Sequence, residues 1–163
     1  MNLSQTQLAY IAGFIDGEAH LGCQRQTQPN GRTPRFVLRL SFTQATEEPL
    51  QTLCHWLGCH VTRYPATSPN RSPRWRMTIT KNVAVSLLRA CLPYLILKRR
   101  QAELVLEIER VRALASPDRK AFGRQGGKSL PMPASAVAMM DELHHQLSSL
   151  RSNKRPINSR RLV

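Results

Sequence analysis

Leu8-Ala9-Tyr10-Ile11-Ala12-Gly13-Phe14-Ile15-Asp16-Gly17-Glu18-Ala19 decides how the rest of the chain is read. Its apolar residues recur at helical spacing, and two glycines stand four apart, at 13 and 17. Glycine costs a helix about 1 kcal/mol against alanine, so two of them on one face need a reason. A bare strip lets a second helix approach closely, the logic of small-residue faces in membranes. A membrane span is excluded, because the apolar run falls far short of the ~20 residues required. The helix therefore presses against a neighbour and ends in two carboxylates, Asp16 and Glu18.

Outward from that stretch, the charge is lopsided. The 163-residue chain carries a formal net charge of +14, with a pI of about 11.0 and 41% hydrophobic residues. That apolar content suits a globular domain rather than a disordered chain. The charge points to a polyanion as partner. Between residues 19 and 102 there are thirteen Lys or Arg and two acids, Glu47 and Glu48. A membrane-surface binder would concentrate its bases on an amphipathic helix. Here they fall on strand-like segments, so no membrane partner is expected. The four cysteines, Cys23, Cys54, Cys59 and Cys91, lie among apolar neighbours, and no signal peptide opens the chain. They read as reduced thiols of an intracellular protein. Cys54-His55 and Cys59-His60 imitate zinc ligands, but a matching distant pair is poor.

Residues 5–17 form the first helix, with Ser4 as N-cap. Residues 19–28 then alternate: Leu21 and Cys23 point one way, and His20, Gly22, Gln24, Gln26 and Gln28 the other. Pro29-Asn30-Gly31-Arg32 spells a turn. Residues 35–43 alternate more sharply, with Phe36, Leu38, Leu40 and Phe42 inward and Arg35, Val37, Arg39, Ser41 and Thr43 outward. Residues 47–57 make an amphipathic helix stopped at Gly58. Residues 60–64 and 74–80 are two further strands; in the second, Arg74, Arg76, Thr78 and Thr80 face out. A third helix covers residues 83–92, starting at Asn82 and broken at Pro93. A fourth covers 97–114, with Leu97, Gln101 or Ala102, Leu104, Val105, Ile108 and Val111 as its apolar stripe. Residues 116–133 are a basic linker with Lys120, Arg124 and Lys128, residues 134–150 a last helix, and residues 151–163 a basic tail expected to be disordered when free. The tail reads equally well as an inert solubilising extension or as an arm that clamps DNA. The expected division is a core at 1–115, the linker and helix of 116–150 packed on it, and the tail.

The order helix, two strands, helix, two strands, helix comes with a signature. Ile11-Ala12-Gly13-Phe14-Ile15-Asp16-Gly17-Glu18-Ala19 resembles the motif of the LAGLIDADG homing endonucleases, with Ala19 where the family ends in glycine. Pro93-Tyr94-Leu95-Ile96-Leu97-Lys98 resembles the family's P-x-L-x-x-K run, and Lys98 stands at its active-site lysine. Ser41-Phe42-Thr43-Gln44 resembles the end of a strand where the family places a polar active-site residue, matched by Gln44. A basic residue that commonly follows is replaced here by Glu47 and Glu48. Ser116-Pro117-Asp118 resembles the loop after the long helix in single-motif members.

The resemblance implies an α+β fold: an αββαββα core with a curved four-stranded antiparallel sheet, plus C-terminal helices. It implies a metal-dependent endonuclease that cuts both strands of a long double-stranded DNA target, within an intron insertion site of a host gene. One motif per chain implies a homodimer joined through Ile11, Ala12, Gly13, Asp16 and Gly17, and hence a pseudo-palindromic target. Glu18 and the backbone carbonyl of Gly17 would hold Mg²⁺, a hard cation that takes oxygen ligands. Lys98 would stabilise transition-state charge, and Gln44 would orient solvent. Asp16 is expected to be structural at the helix end.

Base reading is expected from outward strand positions: Gln24, Gln26, Gln28, Arg35, Arg39, Ser41, Arg63, Arg74 and Arg76. Arg engages guanine and Gln adenine through paired hydrogen bonds. Lys120, Arg124 and Lys128 are expected on phosphates, adding salt-dependent affinity without specificity. The compartment would be the one that holds the target genome, bacterial cytoplasm or organelle. Two other readings share the fold: a DNA-binding regulator that no longer cuts, and an intron maturase, for which RNA would be the partner.

Overall fold

The computed structural model describes residues 2–28, 33–66, 72–115 and 132–152. The turn expected at 29–32, the bases Lys120, Arg124 and Lys128, the loop at 116–118 and residues 153–163 of the tail lie outside the described residues.

Helix α1 (Gln5–Glu18) opens on a capping box. The Ser4 hydroxyl accepts from the Gln7 N–H at 3.2 Å, and the Gln7 side chain accepts from the Ser4 N–H at 2.9 Å. This satisfies two of the four orphan donors at the helix start. Strands β1 (Ala19–Gln26) and β2 (Arg35–Gln44) follow, then α2 (Glu48–Leu57). Pro49 stands in the first turn of α2, where a missing N–H costs nothing. Gly58 ends that helix in the left-handed region, at φ 63°, which glycine adopts without strain. Strands β3 (Val61–Tyr64) and β4 (Arg74–Thr80) then lead into α3 (Lys81–Cys91). Helix α3 starts earlier than Asn82 and passes into a 3₁₀ turn at Leu92–Tyr94 around Pro93. Helices α4 (Arg99–Leu114) and α5 (Ala134–Ser152) complete the chain.

The sheet is antiparallel throughout, in the order β1-β2-β4-β3. One face carries Leu21, Cys23, Phe36, Leu38, Leu40, Phe42, Met77 and Ile79, all buried. The helices cover that face, supplying Ile11, Ile15, Leu50, Leu53, Leu87, Leu88, Val105 and Ile108. Helix α5 packs on α4 and β1 through the buried Met140 and Leu147. It is also tied to β1 by Arg25, whose Nε donates to Asp141 at 2.6 Å. Among the described residues no helix covers the opposite face of the sheet. Among the described residues no helix is long and apolar enough to cross a membrane.

Leu97, expected in the apolar stripe of the fourth helix, is instead 66% exposed, beside Ile96 at 83%. Helix α4 begins only at Arg99, because residues 96–98 are held outside it by Asp16. Ile11 and Ala12, expected at the subunit contact, are instead fully buried in this chain's own core. The open face of α1 is instead Ala9, Tyr10, Gly13 and Gly17.

Candidate nucleic-acid interface and active site

The uncovered sheet face follows from strand alternation. Across β1 and β2 the outward pairs are His20 with Ser41, Gly22 with Arg39, Gln24 with Val37, and Gln26 with Arg35. Across β2 and β4 they are Arg39 with Thr80, Ser41 with Thr78, and Thr43 with Arg76. Across β4 and β3 they are Arg76 with Thr62 and Arg74 with Tyr64. None of the four strands contains an Asp or Glu. Solvated faces usually interleave both signs; this one presents Arg35, Arg39, Arg74 and Arg76 among Gln, Ser, Thr and Tyr. Such a face attracts phosphates at long range and carries donors suited to base edges.

The register keeps most of the expected readers together: Gln24, Gln26, Arg35, Arg39, Ser41, Arg74 and Arg76 share the open face. Gln28 lies two residues past the end of β1. Arg63 does not belong with them. It stands opposite Trp75 on the helix side, with its guanidinium carbon 5.9 Å from that ring. Val61 opposite buried Met77 fixes this parity, and a one-residue shift exchanges the two faces. The outward residues of β3 are Thr62 and Tyr64, which sequence reasoning missed. Applying the parity of Val61 would have found both.

The second component is the end of α1. Strand β1 starts at Ala19 opposite Phe42, so Glu18 emerges at the sheet end where Thr43 and Gln44 close β2. The Glu18 carboxylate is exposed, and among the described residues no hydrogen bond or ion pair engages it. Gln44 is half-buried and lies opposite Trp75, on the helix side.

Asp16 and Lys98 join this end to the start of α4. The Asp16 carboxylate accepts from the N–H groups of Ile96 at 2.7 Å, Leu97 at 3.1 Å and Lys98 at 2.8 Å. The Lys98 ammonium donates to the carbonyls of Ile15 and Asp16, both at 2.7 Å. A carboxylate thus caps the N-terminus of α4, and an ammonium caps the C-terminus of α1. Each sits where the helix dipole favours its sign.

No protein-family model matches the sequence, and no curated protein matches it. The three-dimensional comparison is different. The chain superposes on the homing endonuclease I-CvuI, crystallised with its DNA target and Ca, with a TM-score of 0.65 and 21% identity, over 98% of this chain and 87% of that one. It also superposes on the archaeal intron-encoded homing endonuclease I-Vdi141I bound to DNA, with a TM-score of 0.67 and 17% identity, over 96% and 89%. The chain has the LAGLIDADG endonuclease fold. On I-SmaMI, a LAGLIDADG homing endonuclease bound to cleaved DNA, the match covers 93% of this chain but 47% of the other, with a TM-score of 0.64 and 14% identity. The expected αββαββα order runs from α1 to α3.

Proposed function

We propose that this chain is a site-specific DNA endonuclease of the homing type. Two copies would hydrolyse both strands of a long pseudo-palindromic duplex with a divalent cation, Mg²⁺ first. The observation that carries this reading is the acid-free sheet face that ends at an exposed Glu18. One part suits a polyanion, and the other supplies an exposed carboxylate beside it.

Phosphodiester hydrolysis joins a water oxygen to phosphorus while the bond to the leaving deoxyribose oxygen breaks. When bound, a divalent cation would polarise the phosphate, activate water and stabilise the leaving oxygen. The donor set fits such a cation. Mg²⁺ typically takes one or two carboxylates together with substrate phosphates and water, and Glu18 with the Gly17 carbonyl offers hard oxygens at an open position. Lys98 sets the direction in which α1 ends, and so where Glu18 stands. Gln44 contributes an amide at the same end of the sheet that can orient water. Arg35, Arg39, Arg74 and Arg76 bind the duplex along the open face. The bare strip of Gly13 and Gly17 admits the second copy, bringing two Glu18 carboxylates near one axis.

Cleavage of a randomised duplex pool in Mg²⁺, with Glu18→Gln and Ca²⁺ run in parallel, tests the reading. The expected result is a set of discrete ends that share a roughly two-fold sequence and vanish with Glu18→Gln. Retention of selected DNA without cutting in Mg²⁺ would replace the nuclease with a regulator. Failure to retain any DNA would turn attention to structured RNA.

A further inference from the structure

Arg76, on the open face, is held by neutral side chains from both neighbouring strands. From β3, the Tyr64 ring lies against it, with the guanidinium carbon 4.6 Å from the ring centroid. From β2, the Thr43 hydroxyl accepts from its Nε at 3.4 Å. The register explains the sandwich: Thr43 is directly opposite Arg76 on one side, and Tyr64 is opposite Arg74, two residues along, on the other.

An exposed arginine is usually steadied by a carboxylate, which occupies the terminal nitrogens and cancels the charge. The strands offer no carboxylate. A ring face and a hydroxyl on Nε hold the guanidinium plane while leaving Nη1 and Nη2 as donors for an incoming group. Those are the two nitrogens that make the parallel fork to O6 and N7 of guanine. A side chain ordered before contact loses less rotamer freedom on binding.

We infer that Tyr64 is a specificity-determining residue that positions Arg76, through its ring, to read a guanine in the major groove, with Thr43 as the second support. This rests on the reading of the open face as a DNA-binding surface. Tyr64 acts through Arg76, so its effect is confined to the base that Arg76 reads. Lysine cannot replace Arg76, because it has neither the plane that stacks nor the fork.

The test is selection of randomised duplex DNA by the full-length protein in Ca²⁺, with base preference scored at every position. Arg76→Ala identifies the position that Arg76 reads, as a guanine preference that flattens. Tyr64→Leu should weaken discrimination at that position by about fivefold, the size of an exposed cation–π contact, and leave other positions unchanged. Tyr64→Phe should retain the preference, because the ring remains. Thr43→Val should weaken the same position to a smaller extent, which keeps the idea testable should Tyr64→Leu fold poorly. An unaltered preference in both Tyr64→Leu and Thr43→Val overturns the inference, as does equal flattening at every position. No preference at all in the unaltered protein would instead defeat the DNA-binding reading itself.

Discussion

Asp16 and Lys98 hold each other's backbone across a sequence separation of 82 residues. The Asp16 carboxylate accepts from the three N–H groups that lead into α4, and the Lys98 ammonium donates to two carbonyls in the last turn of α1 at 2.7 Å. The two helix ends are therefore tied to each other, two residues before Glu18. Asp16→Ala should cost about 2 kcal/mol, because a helix cap is lost and N–H groups are left without an acceptor. Urea unfolding monitored by circular dichroism measures this. A loss well below that value would mean that solvent satisfies the same N–H groups.

Lys98 occupies the position expected of an active-site lysine, yet in the free chain its ammonium closes the C-terminus of α1. Lys98→Met should therefore lower both stability, by about 1 kcal/mol, and cleavage. Unfolding curves and single-turnover cleavage of the selected target, measured on the same preparation, separate the two effects. Cleavage lost with stability intact would assign the ammonium to the phosphate alone.

The position of Arg63 gives a sharp contrast. It lies on the helix side with Trp75, while Arg39 lies on the open face between Gly22 and Thr80. Arg63→Ala should leave base preference unchanged, and Arg39→Ala should relax it at one position by roughly 1–3 kcal/mol. Selection from randomised duplexes reads both. A base-specific change from Arg63→Ala would show that β3 pairs one residue out of the observed register.

Much of this was legible because strong periods leave little freedom. Phe36, Leu38, Leu40 and Phe42 alternate with polar neighbours, so β2 has one possible buried face and its register follows. The α1 signature and the order of elements then place Glu18 at a sheet end. Strand β3 is different: in Val-Thr-Arg-Tyr only Val61 marks the inner face, and its effect is felt through Met77 of another strand. The exposure of Leu97 is not legible locally, because the residue that holds it outside α4 is Asp16, which no pattern near residue 97 reveals. For Ile11 and Ala12, an apolar helix face does not say whose core it enters.

Cys91 bears on the thiol chemistry. It is fully buried, its Sγ donates to the Leu8 carbonyl at 3.7 Å, and burial pushes its pKa up to about 12. Since the thiolate is the reactive form, Cys91 should resist alkylation at pH 8 in the native protein and react once the chain is unfolded. Mass spectrometry of iodoacetamide-treated protein, with and without urea, checks this. Fast native labelling at Cys91 would mean that α1 and α3 separate readily.

Gly13 decides whether the open face of α1 belongs to a second copy. A Cβ placed there meets no atom within 4 Å among the described residues, so this chain alone gives no reason for glycine. Alanine should suit the isolated helix better, by about 1 kcal/mol. Gly13→Ala should therefore raise the stability of the single chain, measured by unfolding at low protein concentration. Gly13→Leu should weaken self-association on DNA by at least about tenfold, as overpacked contacts do, in sedimentation velocity with the selected duplex. In the proposed dimer both Glu18 carboxylates depend on that contact, so double-strand cleavage should fall with it. Unchanged association for Gly13→Leu would place the second copy on another surface and leave the two glycines without a function in dimerisation.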